Sequence, residues 1–348
     1  MDADWYKRSE IVEFLVTSTG VAHVLPGESI QSLWSGYGEF RRFHLQHTDQ
    51  TANLSDAAES VIGKWVAVAG SSKHPRGWNT STSHQRKMKS YEVERIWYER
   101  YATICDRDCP VASLVGSYAQ EDGYLLLLSD LDTTFPVRRN SALPEDSETG
   151  DKPLSPVATS CLHWLAHFHA KFLNSTGTGL WPQGTYWYLD TRPDEYDAME
   201  PGPIKNIADK LDTKLKECQY QTLVHGDAKI ANFCFTPTHN HVAAVDFQYV
   251  GRGVGIRDVA YFLGSCLDEN ELHQNDQRYL DFYFNALSDA LGKHQPAVNA
   301  AAICQSWREL YPIAWTDFYR FLIGWMPNHP KSHTYTHHLA EQALRNID

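Results

Sequence analysis

Three polar residues in the second half of the chain constrain its fold and chemistry more than any other feature. Asp227 lies in the run Leu223-Val-His-Gly-Asp-Ala-Lys-Ile-Ala-Asn-Phe233, and Asn232 follows it with four residues between. A further aspartate, Asp246, ends the next apolar run. An aspartate that orients a hydroxyl, with an asparagine and a second aspartate that hold Mg²⁺, is the set that phosphoryl transfer requires. The pattern therefore predicts a catalytic loop followed by a metal-binding loop.

The chain between these loops has the pattern of a short β-hairpin. Residues 233–235 and 241–245 are apolar runs separated by Thr236-Pro-Thr-His-Asn240, a turn-forming sequence. Such a hairpin returns the chain beside the catalytic loop, so that Asp246 faces the same metal site as Asn232. Lys229 follows Asp227 by two residues and is expected to place a positive charge near the transferred phosphate. The alternative is a buried His-Gly-Asp turn that caps a hairpin and has no catalytic role.

Several motifs together resemble a known superfamily. His225-Gly226-Asp227 with Asn232, then Val245-Asp246-Phe247 and Arg257-Asp258-Val-Ala-Tyr-Phe-Leu263, are similar to the aminoglycoside phosphotransferase and choline kinase superfamily. Leu128-Ser-Asp-Leu-Asp132 and Trp181-Pro-Gln-Gly-Thr-Tyr-Trp187 are more similar to its ecdysteroid-kinase-like branch.

The resemblance covers most of the chain and is strongest from Leu223 to Leu263. It implies an α+β, protein-kinase-like bilobed fold, with an antiparallel sheet and an αC-type helix in the N-lobe and a mostly helical C-lobe. It also implies transfer of a phosphoryl group from ATP, with Mg²⁺, to a hydroxyl of a small molecule. It does not imply a particular acceptor. We expect the N-lobe at 1–128, a hinge at 129–132 and the C-lobe at 133–348.

Composition narrows the class of partners. The 348 residues are 42% hydrophobic, enough for two compact lobes. The formal net charge of -12 argues against binding to nucleic acid or to an anionic membrane surface. There is no apolar run of membrane-spanning length, and the acidic start Met1-Asp-Ala-Asp-Trp5 is unlike a signal peptide. We therefore expect a cytoplasmic protein whose seven scattered cysteines are reduced.

The first lobe is predicted from an opening helix, Ser9 to Thr19, and two strands around a glycine-containing turn. The strands are Ser29 to Trp34 and Phe40 to Leu45. Gly36 and Gly38 in the turn would let backbone N–H groups approach phosphates closely. The turn lacks the third glycine of the kinase pattern, so a plain hairpin stays an equal alternative.

A lysine inside an apolar strand is the anomaly of this lobe. Lys64 lies within the strand Ser60 to Ala69, where a kinase places the lysine that binds the α- and β-phosphates. Residues 70–89, with the competing lysines Lys73, Lys87 and Lys89, have the composition of a long exposed loop. A helix from about Ser90 to Ile104 offers Glu94 as the partner of Lys64, chosen on the resemblance over Glu92 and Glu99. The alternative for Glu94 is a solvated surface carboxylate.

Two further strands, 111–118 and 123–128, complete the predicted sheet and lead to the hinge. By position and resemblance alone, backbone groups around Ser129 to Leu131 are expected to bind the adenine. After them, Arg138 to Pro156 has the composition of a flexible connection.

The second lobe is predicted to be mostly helical, with helices at 160–173, 204–218 and through 269–347. His163 and His167 are four residues apart, but no His-Glu-x-x-His motif accompanies them, so an ordinary helix is favoured over a zinc site. Asp258 either caps its helix or, by the resemblance, accepts hydrogen bonds from the catalytic loop. We expect His225 to hold that loop rather than to react. Residues 248–255 are too few for an activation loop.

The acceptor is the least constrained part of the prediction. Its hydroxyl must lie near Asp227, so its body would rest on aromatic side chains of the second lobe, of which Trp187 and Trp315 are candidates. The equal alternative is that both rings are core.

Three functions are compatible with these patterns. The leading one is an ATP- and Mg-dependent small-molecule kinase. A nucleotide-binding pseudokinase is the alternative, although every expected catalytic position is filled. Metal-dependent phosphate-ester hydrolysis is third, because no second cluster of carboxylates and histidines is evident in the sequence.

Overall fold

The computed structural model describes residues 4–33, 36–47, 58–67, 81–141 and 153–347. The chain forms two compact units. The first comprises the chain up to Thr103 together with Ala112–Thr133, and the second comprises Ile104–Val111 and the chain from Thr134 onward. The predicted α+β class is confirmed, because the first unit contains an antiparallel sheet and the second is mostly helical.

The first unit is a five-stranded antiparallel sheet with one helix before β1 and a second helix between β3 and β4. The strands have the order β1-β2-β3-β5-β4. Their bounds are β1 His23–Ser32, β2 Gly38–Gln46, β3 Ser60–Ala67, β4 Leu114–Gln120 and β5 Gly123–Ser129. The opening helix α1, Ser9–Thr19, is confirmed residue for residue.

Side chains alternate along β3, and this alternation separates two faces of the sheet. Val61 and Trp65 point to one face, where they join a core with α1 and with Trp5, whose ring stacks on Trp65 at 5.3 Å between centroids. Lys64 consequently points to the opposite face.

The helix after β3 begins earlier than predicted. It is α2, Ser81–Arg100, whereas the sequence suggested an exposed loop up to residue 89. Lys87 and Lys89 therefore lie on a helix, and the loop prediction is wrong for them. Lys73 lies outside the described residues. The error has a physical cause, since the first turns of α2 are polar and carry no apolar periodicity to reveal them.

The second unit contains nine helices among its described residues. Their bounds are α3 Pro156–Lys171, α4 Pro193–Asp197, α5 Pro203–Asn206, α6 Ala208–Lys216, α7 Ile256–Cys266, α8 Glu269–His294, α9 Ala300–Glu309, α10 Tyr311–Trp325 and α11 Thr334–Asn346. The single helix predicted at 204–218 is divided, because Ile207 leaves helical geometry between α5 and α6. α3 begins at Pro156, four residues before its predicted start, with Ser155 as its N-cap.

Two small sheets position the loops of interest in this unit. β7, Thr222–Val224, pairs with β10, Gly251–Gly253. The hairpin predicted from the sequence is confirmed as β8, Phe233–Phe235, and β9, Val242–Ala244, with the short strand β6, Val137–Arg138, alongside β8. The glycine-rich segment after Asp246 therefore contains the strand β10, and α7 begins shortly after that strand.

All seven cysteines are free thiols, as predicted. Among the described helices, none combines the length and the apolar character needed to cross a membrane.

Candidate active site

In the first unit, Lys64 and Glu94 form a buried ion pair between β3 and α2. Lys64 is 0% exposed and Glu94 is 1% exposed. The rings of Phe40 and Tyr91 lie 4.7 and 5.6 Å from the lysine nitrogen. The structure therefore joins the two residues that the sequence singled out. Glu94 is not the solvated carboxylate of the alternative.

An ion pair at this depth needs an explanation beyond stability. Burying two charges costs several kcal/mol per ion, and replacing such a pair by apolar residues is often neutral or stabilising. An apolar strand residue would fill the site of Lys64 at lower cost. Retaining the pair is consistent with a cation that is held in place for a ligand.

The glycine-containing turn of the first unit has the geometry that makes glycine necessary. Gly36 and Gly38 both have positive φ, 75° and 158°. A Cβ at Gly38 would lie 1.8 Å from the carbonyl oxygen of Trp65, so no other residue fits there. Close packing on β3 alone accounts for Gly38, and its role in phosphate contact stays a prediction.

The predicted hinge is fixed by side chains of the first unit. Ser129 donates its backbone N–H to the carbonyl of Ser113 at 2.9 Å, so that donor already has a partner. Asp130 accepts hydrogen bonds from Arg42 and Ser60, each at 2.7 Å. Leu131 begins a single 3₁₀ turn. Adenine binding through Ser129 would consequently need a group other than its N–H.

In the second unit, the segment predicted to be the catalytic loop makes a tight turn after β7. Gly226 has φ 81°, and a Cβ there would lie 2.1 Å from the carbonyl oxygen of Tyr249. Glycine is therefore required between His225 and Asp227 by both conformation and space. The turn brings Asp227 to the end of the β7–β10 pair.

Asp258 fixes the backbone of this loop. Its carboxylate accepts hydrogen bonds from the N–H groups of His225, at 2.6 Å, and Gly226, at 3.0 Å. The side chain of His169 in α3 contacts the same carboxylate at 3.2 Å. The N-cap of α7 is Gly255, so Asp258 does not cap the helix. Of the two alternatives for Asp258, the structure has the loop-anchoring one.

His225 joins the catalytic loop to the metal loop. Its Nδ1 accepts a hydrogen bond from the N–H of Asp227 at 3.3 Å, and its Nε2 lies 3.0 Å from the carbonyl of Val245. This network assigns the neutral tautomer with the proton on Nε2. With both nitrogens used in this way, His225 is positioned to hold the loop.

Three side chains hold the carboxylate of Asp227. Lys229 and Asn232 donate to its Oδ2 at 3.0 and 3.1 Å, and Tyr261 of α7 donates to its Oδ1 at 3.1 Å. The orientation of Asp227 is therefore fixed from both of its oxygens.

The register of the hairpin joins Asn232 to the second aspartate. Phe233 pairs with Ala244, and the N–H of Val245 donates to the carbonyl of Asn232 at 3.0 Å. Asp246 is the next residue and has φ 68°, a left-handed conformation that is uncommon for a non-glycine residue. Strained residues of this kind concentrate at functional sites, each at a cost of about 1–3 kcal/mol.

The Asn232 side chain is oriented with its amide nitrogen toward the catalytic loop. That nitrogen donates to the carbonyl and to the carboxylate of Asp227, at 2.8 and 3.1 Å. Its carbonyl oxygen is thereby turned away from Asp227. The amide oxygen of Asn232 and the carboxylate of Asp246 would together offer only oxygen ligands, which suit Mg²⁺.

The electrostatics of this loop are dominated by burial and by paired charges. Burial raises the pKa of Asp227, as does the charge of Asp246, while Lys229 acts against both. Burial acts to lower the pKa of Lys229, but the carboxylate of Asp227 outweighs it and the net shift is upward. Lys229 therefore stays protonated beside a carboxylate of increased basicity, the property expected of a general base.

Sequence reasoning missed the role of Tyr261, although its spacing from Asp258 could have indicated that role. Tyr261 follows Asp258 by three residues, so both side chains lie on the same face of α7. One anchors the backbone of the catalytic loop and the other donates to its carboxylate.

Lys331 is a second residue that sequence reasoning missed, and no local pattern in the sequence indicates its position. It lies in the connection between α10 and α11, and its ammonium group is 5.4 Å from the ring centroid of Tyr261 and 5.6 Å from that of Phe318. Burial lowers its pKa to about 8, against the smaller opposing effects of Cys266 and Asp227. A lysine from the chain itself thus occupies the aromatic surroundings of Asp227.

The two tryptophans proposed for the acceptor pocket lie in the core. Trp187 is 0% exposed and donates to Asp317 at 3.0 Å, and Trp315 is 5% exposed and donates to Thr336 at 3.1 Å. Trp187 contributes to a cluster with Tyr261 and Phe318. The structure accordingly favours the core alternative for both, because neither ring presents a face to solvent.

Comparison with known proteins finds a family match for one part of the chain. Residues 188–295 match the model of the Ecdysteroid kinase-like family. No curated protein sequence matches the chain.

Three solved structures illustrate the more distant likenesses. An amicoumacin kinase in complex with AMP-PNP, Ca²⁺ and Ami is 12% identical, with a TM-score of 0.47 over 100% of this chain and 96% of that one. A microcompartment-associated aminopropanol kinase is 14% identical, with a TM-score of 0.46 over 98% of each chain. A putative fructosamine-3-kinase from Haemophilus somnus 129PT is 11% identical, with a TM-score of 0.41 over 97% and 96%.

At these scores the three structures carry no argument about substrate or mechanism. The predicted resemblance is confirmed by the segment that holds Asp227, Asn232 and Asp246, which is similar to the Ecdysteroid kinase-like family.

Proposed function

We propose that the protein is a kinase that transfers the γ-phosphoryl group of ATP to a hydroxyl of a small organic molecule. The observation that carries the proposal is the arrangement around Asp227. Its buried carboxylate is held by Lys229, Asn232 and Tyr261, and the hairpin register brings Asp246 next to the residue that pairs with Asn232. A structural turn would need none of these charges.

Each residue then has a chemical role. Asp227 orients the acceptor hydroxyl and accepts its proton as the new phosphorus–oxygen bond forms and the bond from the γ-phosphorus to the departing ADP breaks. Lys229 stabilises the negative charge that develops on the transferred group. Tyr261 and Asn232 keep the carboxylate in one orientation, and Lys64, positioned by Glu94, neutralises phosphate charge on the nucleotide.

Asn232 and Asp246 would hold Mg²⁺. When bound, the ion neutralises charge on the phosphate oxygens and orients them for transfer. The fit rests on the oxygen ligands that these two side chains would offer and on the orientation of the Asn232 amide described above.

The acceptor is expected to be neutral or anionic. Aromatic rings attract cations, and the rings of Tyr261 and Phe318 would by themselves favour an ammonium group. Lys331 already supplies a cation to both rings. A choline-like or aminoglycoside-like acceptor would be repelled there, whereas a sugar-like, steroid-like or carboxylate-bearing alcohol would not.

The direct test is ADP formation with Mg-ATP and a panel of alcohols of matched size and different charge. We expect alcohol-dependent ADP formation and a product heavier by one phosphoryl group. Asp227→Asn should lower kcat by roughly 10²-fold or more, because it removes the general base, while the Kd for ATP changes little. Retention of wild-type turnover by this variant would exclude the assignment.

The same experiment separates the alternatives. A pseudokinase would bind ATP and form no ADP with any alcohol. A phosphate-ester hydrolase would release phosphate without ATP.

A further inference from the structure

Three side chains of metal-binding type converge in the second unit, among residues that the proposed reaction does not use. They are Asp108, His167 and His294, and one ligand atom of each lies within 4.8 Å of the others. Asp108 belongs to the segment Ile104–Val111, His167 to α3, and His294 is the last residue of α8. The cluster thus joins three segments that are remote in sequence.

The two imidazoles present nitrogens that are buried and available. Nδ1 of His167 and Nε2 of His294 have no hydrogen-bond partner within the part of the chain that the structure describes. His167 is only 8% exposed, and its Nδ1 lies 3.9 Å from Oδ2 of Asp108, beyond hydrogen-bond distance. Buried polar atoms normally have partners, so two such nitrogens beside one carboxylate indicate a ligand.

The charge state of the cluster suits a cation. Burial lowers the pKa of both histidines, that of His167 to about 4. Both rings are therefore neutral at neutral pH, the form that binds metal. The hydrogen bond from Lys293 lowers the pKa of Asp108 and keeps it ionised.

Two lysines also lie near the cluster; one can move into solvent and the other has a carboxylate partner of its own. Lys293 contacts Asp108, but its side chain is 50% exposed and can move into solvent. Lys171 is neutralised by Asp106 at 2.7 Å.

His163 lies one turn before His167, with 4.4 Å between ring centroids, and could supply a further nitrogen ligand.

We propose that Asp108, His167 and His294 bind a transition-metal dication of the Zn²⁺ class. Two imidazoles and one carboxylate form a set that Zn²⁺ prefers, whereas Mg²⁺ and Ca²⁺ take oxygen ligands. In a tetrahedral site with Zn–N bonds of about 2.0–2.1 Å, ligand atoms lie roughly 3.3 Å apart. From the present limit of 4.8 Å, the ligand atoms would have to approach one another by roughly 1.5 Å to reach that spacing.

Such an ion would cross-link α3 and the end of α8 to the segment Ile104–Val111. It is separate in ligands and in metal class from Asn232 and Asp246, so it does not depend on the proposed kinase activity. The His163–His167 spacing indicated only the part of this site that lies on α3. Asp108 and His294 are distant in sequence from α3, so the sequence shows no such cluster, whereas the structure brings the three side chains together.

The test is titration of chelator-treated full-length protein with Co²⁺, followed by visible absorption and by equilibrium dialysis. We expect one Co²⁺ per chain, displaced by Zn²⁺ and not by excess Mg²⁺. His294→Ala and Asp108→Asn should each weaken binding by roughly 10- to 100-fold or more. His338→Ala, which removes an exposed histidine of α11, is the matched control and should bind like wild type.

Folding of each variant is checked by melting temperature before titration. If His294→Ala fails to fold, Asp108→Asn decides the question, because it keeps the shape of the side chain. Zn²⁺ should raise the melting temperature of the wild type and of His338→Ala only. If Asp108→Asn binds Co²⁺ at least as tightly as the wild type does, the proposal is overturned.

Discussion

Asp227 combines two properties that conflict at the level of a single residue. Its carboxylate is buried, which disfavours the charged form, yet the chemistry proposed for it needs that form. Burial raises its pKa in the folded protein. Between the unfolded value of about 3.9 and the raised folded value, the native state binds more protons than the unfolded state. Stability conferred by this residue therefore falls as pH rises through that window.

This fall in stability with rising pH gives the first prediction. Asp227→Asn removes the penalty of the buried charge, so above the folded pKa the variant should be as stable as the wild type or more stable, while inactive. The measurement is the urea midpoint of both proteins between pH 4 and pH 8, where the difference should grow in favour of the variant as pH rises. A variant that loses stability relative to the wild type with rising pH would contradict the assigned direction.

Lys331 gives a second prediction at this scale. Its pKa of about 8 means that it is largely charged at pH 7 and becomes neutral above pH 8. The wild type should therefore discriminate against ammonium-bearing alcohols at pH 7, and the discrimination should weaken as pH rises through 8. Lys331→Met should show weak discrimination at both values.

The control is Lys89→Met, which changes a partly exposed lysine of α2 in the first unit. The quantity to compare is the ratio of kcat/KM for a neutral alcohol and its ammonium analogue, at pH 7 and pH 9. An unchanged ratio in Lys331→Met would remove Lys331 from the acceptor site.

Residues that act through local spacing were predictable from the sequence. Asp227, Lys229 and Asn232 lie within one loop, and their contacts follow from a turn that only glycine can form at position 226. Lys331 approaches the same loop from about a hundred residues away, and no local pattern encodes that approach. Trp187 was ambiguous for a different reason, since aromatic residues serve cores and pockets equally well.

At the scale of elements, the pair Lys64–Glu94 joins a strand to a helix through a buried charge on each. Removing one partner leaves the other charge buried without compensation, at a cost of about 3–5 kcal/mol. We predict that Glu94→Gln lowers the free energy of unfolding by a large part of that amount, because it neutralises one charge and keeps the side-chain shape.

Lys64→Met with Glu94→Leu should recover much of the lost stability, since an apolar pair fits the apolar face of the sheet. The double variant should still lack ATP-dependent activity. The measurement is chemical denaturation of both variants, with Lys89→Met as a near-neutral control. Equal stability of Glu94→Gln and the wild type would show that the ion pair is not maintained in solution.

Elements with apolar periodicity were predicted well, and those without it were not. α1 was predicted at its observed bounds because its apolar residues, between Ile11 and Val16, cluster on one face at helical spacing. The first turns of α2 are polar, so they looked like the preceding loop. α5 and α6 were joined in the prediction because the interruption at Ile207 is a change of backbone conformation in a residue that is itself apolar.

At the scale of the whole molecule, the α+β class was expected from the family resemblance, and the patterns of the two halves of the sequence agree with it. Alternating apolar runs around a buried lysine indicate a sheet, and long amphipathic stretches after residue 269 indicate helices. The cluster of Asp108, His167 and His294 was not predictable, because it depends on how helices pack over a separation of more than a hundred residues. The sequence therefore specified the local loops of the candidate site better than the contacts that three distant segments make.

Ligand binding should couple to the stability of the whole chain. A ligand that binds only the folded state stabilises it by RT ln(1 + [L]/Kd), about 2.7 kcal/mol at a hundredfold excess over Kd. We predict that Mg-ATP raises the melting temperature of the wild type and that ATP with a chelator raises it less. Asp246→Ala should abolish the difference between the two conditions, because that difference reports the metal.

The control for this prediction is Asp227→Asn, whose carboxylate is proposed to act on the acceptor rather than on the nucleotide. Its melting temperature should still rise with Mg-ATP by nearly the wild-type amount. The two variants thus separate nucleotide binding from transfer in one thermal assay that requires no knowledge of the acceptor. A metal-dependent rise that persists in Asp246→Ala would show that another residue holds the ion.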